Sequence, residues 1–165
     1  MLAKALLPLI LLFILAACGG SAKPEAAATV QLHGPGLRFS APTGWEVRRA
    51  LTSVSAAKGE ARVSVTVFKL LKPYAPALFG RAAKELDGVA AKLAAQDGST
   101  VQKRETTTVD GRKIRAYRFA NDTLQTRIGF VLVGRREYQL LCEAPAGARD
   151  PDGACTLLFS SFNVV

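Results

Sequence analysis

The spacing of hydrophobic positions changes several times along this chain. An unbroken apolar run occupies residues 5–17. Leu37-Arg38-Phe39-Ser40 alternates apolar with polar, as a half-buried strand does, and runs into Pro42-Thr43-Gly44, a turn by composition. Residues 45–50 extend as the next strand, and residues 61–68, A-R-V-S-V-T-V-F, alternate with β-branched residues as a further one. Pro73 closes that block. From Pro76 to Gln96 the period becomes helical: Leu78, Ala82, Leu86, Val89 and Leu93 form one apolar stripe on a stretch rich in Ala, Lys and Glu. The stripe reads as core, and Asp97-Gly98 as the helix stop.

Residues 100–143 read as a four-strand meander, because each junction carries its own turn chemistry. Asp110-Gly111 and Asn121-Asp122 suit type I′ turns, and Gly134-Arg135 puts glycine first, as type II′ requires. Two-residue loops set Ile114 beside Gly129 and Leu140, and Ala116 beside Arg127 and Cys142. The other face then carries Tyr117, Phe119, Leu124, Ile128, Phe130 and Leu141. Both faces are partly apolar, so both need covering. Asp150-Pro151 reads as an N-cap with proline at the first helical position, opening a short helix lined by Cys155, Leu158, Phe159 and Phe162.

The N-terminal run changes the picture of where the chain works. One cation, Lys4, precedes a thirteen-residue apolar stretch that exits through Ala16 and Ala17, the layout of a secretory signal peptide. The run falls short of the ~20 residues a membrane-spanning helix needs. Leu15-Ala16-Ala17-Cys18 resembles the lipobox of bacterial lipoproteins. That resemblance implies removal of residues 1–17 and a diacylglyceryl group on Cys18, with the protein held on the outer face of the cell membrane. Residues 18–28, small and partly polar, read as the lipidated N-terminus and a flexible tether, and residues 29–165 as one domain.

Composition then narrows the partners. The chain holds 22 basic and 13 acidic residues, a net charge of +9, and loss of Lys4 with the signal leaves +8. Such a balance attracts anionic lipid headgroups or wall polymers. Candidate residues for that contact are Arg48, Arg49, Arg112, Arg135 and Arg136, the last two expected at a hairpin tip. No nucleic-acid reading motif is present. Beyond Cys18 two cysteines remain, Cys142 and Cys155, an even pair that reads as a disulfide in an exported protein and pins the last helix to the sheet.

Residues 37–45, L-R-F-S-A-P-T-G-W, are similar to the opening "F-x-x-P-x-G-W" stretch of the PsbP-like family, which includes many bacterial lipoproteins. The valine strand, the helix, the "G-R-K-I-R-A-Y" hairpin and a final "S-S-F" helix follow in matching order. The resemblance covers residues 29–165 and implies an α+β fold, an antiparallel sheet flanked by helices as an α/β/α sandwich. It implies no reaction, since relatives serve mostly as binding or assembly factors and fold alone does not set function.

Catalytic chemistry is sparse. His33 is the only histidine, and a hydrolase built on it is the weakest of the functional readings, because no G-x-S-x-G elbow surrounds any serine. No carboxylates have metal-loop spacing, and no Gly-rich loop joins a strand to a helix, so neither a metal nor a cofactor is expected. Trp45, the single tryptophan, reads as a core plug and is also a candidate ligand-stacking ring. The expectation is a non-enzymatic binding or assembly module whose partner is a protein or an anionic envelope polymer. The alternative is a carrier of a small apolar ligand or lipid held between helix and sheet.

Overall fold

The computed structural model describes residues 28–165. The signal segment, Cys18 and all but the last residue of the tether lie outside the described residues. The described residues form mostly antiparallel β-sheet with two α-helices. Strands β1 (Thr29–Gly34) and β2 (Leu37–Pro42) form a hairpin, joined along one edge by β9 (Asn163–Val164). The larger sheet has β3 (Glu46–Arg49), β4 (Ser53–Lys58), β5 (Ala61–Tyr74), β6 (Thr100–Val109), β7 (Arg112–Ala120) and β8 (Leu124–Pro145), in the order β3-β4-β5-β8-β7-β6. Helix α1 (Phe79–Gln96) follows a 3-10 turn at Pro76–Leu78, and α2 (Ala154–Ser161) follows one at Pro151–Gly153.

Alternation along the strands separates two cores. Ile114 and Ala116 on β7 and Leu140 and Cys142 on β8 pack with β1, β2, β4, β5 and with Leu158 and Phe159 of α2. Tyr117, Phe119, Ile128 and Phe130 point the other way, against Leu86, Ala90 and Ala94 of α1. One helix therefore covers each face of the large sheet, as the two partly apolar faces demand. Close approach of α2 is bought by Gly129, where a β-carbon would stand 2.7 Å from Phe159 Cε1.

Turn chemistry is obeyed at Asp110-Gly111, where φ of 51° and 68° match a type I′ turn and Val109 pairs with Arg112. It fails at Gly134. There β8 continues without reversing, so the expected fourth strand is the second half of a 22-residue strand. Its first half pairs with β7 and its second with β5. Gly134, with φ 55°, kinks the strand instead of turning it. The expected meander is thus a three-strand unit. Between β7 and β8 the loop is longer than two residues, because Asn121 Oδ1 accepts hydrogen bonds from Thr123 N–H (3.0 Å) and Leu124 N–H (2.8 Å). Ala116 consequently faces Gly129, a slip of two from the expected register. A slip of two keeps every side chain on its face, which is why the two expected faces match the two cores.

Strands β1 and β4 carry weak patterns and were not expected as strands. The helical stripe also needs correcting. Leu78 and Val89 are exposed, and the contact line runs through Leu86, Ala90 and Ala94, with Leu93 partly buried beside it. Small alanines let the helix axis approach the sheet, and the helix stops at Gly98 (φ 63°) as expected.

A polar clamp fixes α1 on that face. Asp87 accepts from Arg115 Nε at 2.9 Å, from Arg115 Nη2 at 3.2 Å and from the buried Tyr117 hydroxyl at 2.7 Å. The hydrogen bond from Arg115 holds the Asp87 carboxyl below its usual range, while burial pushes the Tyr117 phenol up. A lowered folded-state pKa contributes stability above the unfolded value of ~3.9 and loses it as pH falls through the folded value. Asp87→Asn is therefore expected to destabilise the protein at pH 7 by about 1 kcal/mol, a discounted figure because the carboxylate is part-exposed. Urea midpoints measured from pH 7 to pH 2.5 check this: the gap between wild type and variant should close below about pH 4. A gap that persists unchanged would show that the clamp is not electrostatic.

Candidate functional site

The five arginines expected to meet an anionic surface do not form one patch. Arg48 Nε is paired with Glu46 Oε1 at 2.9 Å, and Arg112 is folded onto its own turn, bonding the Asp110 carbonyl at 2.8 Å and the Asp110 carboxylate. Arg49 lies exposed at the end of β3. Only Arg135 and Arg136 come together, and they do so on a continuous strand, not at a hairpin tip.

Around those two, tertiary pairing assembles a groove that the sequence pattern did not reveal. Arg136 is directly opposite Lys69 in the β5–β8 ladder, a like-charge pair that costs stability in isolation. Past Lys69 the pairing register shifts, and β5 bulges until Tyr74 meets Gly134. Leu71, on the bulge, is 96% exposed, and Arg135 Nη1 reaches its carbonyl at 3.3 Å. The β3–β4 loop, tied down by a Val67 N–H bond to the Thr52 carbonyl at 2.7 Å, presents Leu51 at 95% exposure. Leu51, Phe68, Lys69, Arg135 and Arg136 line one open groove of about 380 Å³, with Pro35 of the β1–β2 turn at its end. No carboxylate among the described residues lines it. Glu137, the nearest acid along β8, is buried enough to push its carboxyl up. Lys69, Lys72 and Pro73 on this strand edge oppose strand addition, so a partner would meet the surface and not extend the sheet.

A second concavity, about 460 Å³, opens where α1 begins. Tyr74, Phe79, Leu132 and Val133 make it mostly apolar, and Arg112 and Lys113 stand at it. Lys113 Nζ is 5.4 Å from the Phe79 ring centroid. Its volume lies within the roughly 300–1,000 Å³ of small-molecule sites.

The remaining expected residues fall elsewhere. Trp45 is buried in the first core, and its indole N–H donates to Asp152 Oδ2 at 3.0 Å, the same oxygen that takes Lys58 Nζ at 3.0 Å. Those two contacts, the indole first, hold the Asp152 carboxyl low. The ring packs in the core and clamps the turn before α2, and it also lines an open concavity of about 280 Å³ with Lys58, Pro151 and Asp152. His33 is exposed on β1 opposite Arg38, and no serine or carboxylate bonds it among the described residues. Cys142 and Cys155 lie at disulfide distance, with Cα atoms 5.5 Å apart. Cys18 lies outside the described residues. No helix among the described residues is long and apolar enough to cross a membrane.

No family model matches the chain, and no curated protein matches it. Among solved structures, a crystal structure from Bacteroides thetaiotaomicron VPI-5482 is similar over 86% of this chain, with a TM-score of 0.49 and 10% identity. This chain spans about half, 49%, of that one's length.

Proposed function

We propose that this protein is a lipid-anchored, non-enzymatic binding module of the cell envelope, with the PsbP-like sandwich as its fold, and that it works against anionic envelope surfaces. The observation that carries the reading is the groove in which Lys69, Arg135 and Arg136 meet around exposed Leu51 and Phe68. Cations beside protruding leucines suit a charged interface with apolar depth beneath it, which is the composition of an anionic bilayer surface. The diacylglyceryl anchor expected at Cys18 supports the same reading. Ten residues, 19–28, separate the anchor from the domain, and the eleven chain steps reach at most about 38 Å, enough for the domain to turn its groove toward the membrane. A second reading, carriage of a small apolar ligand with an acidic head, rests on the apolar cavity at the start of α1 and its two cations.

Vesicle flotation across a salt series tests the first reading. Full-length protein should bind phosphatidylglycerol vesicles more strongly than phosphatidylcholine vesicles at 50 mM salt. The difference should fade toward 500 mM, where the Debye length falls to about 4 Å. Lys69→Gln/Arg135→Gln/Arg136→Gln should remove most of the lipid preference, and Leu51→Ser/Leu71→Ser should weaken binding to both lipids. A preference unchanged by the charge variant would overturn the reading, because wild type and variant share the same N-terminal segment and anchor and differ only in the groove.

A further inference from the structure

We propose that the arginine-lined pocket beside the Cys142–Cys155 pair is a binding site for a phosphoryl group. It is distinct from the basic groove and does not depend on the envelope reading. The pocket, about 170 Å³, lies where β7 and β8 meet the start of α2, with Arg118, Arg127 and Arg149 on its lining. It is too small for a drug-sized molecule and suits one tetrahedral oxyanion with its waters.

Three observations call for an anion there. Arg118 and Arg127 are directly opposite in the β7–β8 ladder, so two guanidinium groups share one small area. Neither Arg118 nor Arg149 has a carboxylate partner among the described residues. Arg127 is the third. Its guanidinium stacks 4.0 Å from the Phe159 ring centroid and gives one Nη2 bond to Glu105 at 3.2 Å, yet its buried Nε–H has no acceptor. A buried donor without an acceptor is costly and marks a missing partner. Burial already draws the Arg127 guanidinium below its ordinary pKa, and Arg118 adds to the shift against the pull of Glu105.

The two acids nearby do not balance these cations. Asp150, the one carboxylate on the lining, accepts the Cys155 N–H at 2.7 Å and the Thr156 N–H at 2.9 Å, capping the first turn of α2. Glu105 is shared between Arg127 and Lys103, whose hydrogen bond keeps its carboxyl low. The lining therefore carries Arg118, Arg127 and Arg149 against the capping Asp150, with Glu105, shared with Lys103, partnering Arg127 beside it. Thr126 and Thr156 on the lining add hydroxyl donors. Guanidinium forks match the oxygens of a phosphoryl group, whether it is free phosphate or a lipid headgroup.

Calorimetric titration of inorganic phosphate into the full chain in neutral detergent is the first arm. Saturable one-to-one binding is expected, weakened roughly tenfold or more by Arg118→Gln and by Arg149→Gln, exposed positions whose loss leaves the fold intact. Arg135→Gln/Arg136→Gln, which removes charge from the other groove, should leave phosphate affinity unchanged. The second arm is flotation with phosphatidylglycerol vesicles. Binding that falls in Arg118→Gln/Arg149→Gln while free phosphate gives no heat would identify the headgroup as the source. No phosphate binding together with vesicle binding indifferent to Arg118 and Arg149 would overturn the proposal. So would phosphate affinity that survives both substitutions.

Discussion

Phe162→Ala is expected to lower the stability of the domain by about 4 kcal/mol, the usual loss for emptying a buried phenyl site. Phe162 is 1% exposed and sits where the last helix ends, its N–H closing on the Leu158 carbonyl at 3.1 Å. Its ring meets Tyr138 edge-on at 5.6 Å, and the Tyr138 hydroxyl donates to the Gly36 carbonyl at 3.1 Å. One residue later, β9 pairs with Leu37 and Arg38. Phe162 thus joins α2, the three-stranded sheet and β8, and surrounding groups cannot collapse into its space without moving all three. A fall in Tm of roughly 15 °C should accompany the change. Phe162→Leu, which keeps most of the volume, should cost under about 1.5 kcal/mol. Equal losses for both variants would show that ring packing is not what the site needs.

Replacing the cysteine pair, Cys142→Ala/Cys155→Ala, is expected to cost about 3 kcal/mol. The bond closes a separation of 13 residues, and chain entropy assigns a loop of that size about this much. Cys142 is buried on β8 and Cys155 lies in the first turn of α2, so a bond between them would hold the helix start against the sheet. Denaturant midpoints with and without reductant check it. Reduced wild type should approach the variant, and reductant should leave the variant unmoved. A midpoint in wild type that ignores reductant would show either no bond or a bond that constrains nothing.

Local pattern was enough for the elements whose residues repeat at one period and end on definite turn chemistry. The valine strand, the long helix with its stop at Gly98, the Asp110-Gly111 turn and the capped C-terminal helix are of this kind, because nearest neighbours in the chain decide them. The allocation of side chains to two faces was legible for the same reason, since period two survives a slip of two residues. Non-local pairing decided the rest. Gly134 looks like a hairpin glycine, but β5 offers the far half of β8 a long apolar partner, and pairing outweighs turn propensity. The candidate sites depend on those pairings. Arg118 faces Arg127 only after the Asn121 side chain enlarges its loop, and Lys69 faces Arg136 only because strands 60 residues or more apart in sequence meet in one ladder. The chain alone determined the strand and helix periods and the cysteine pair. Which cations converge, and which leucines stand exposed beside them, was decided by tertiary structure, because charge carries no period and the ladder register alone makes neighbours of residues distant in sequence.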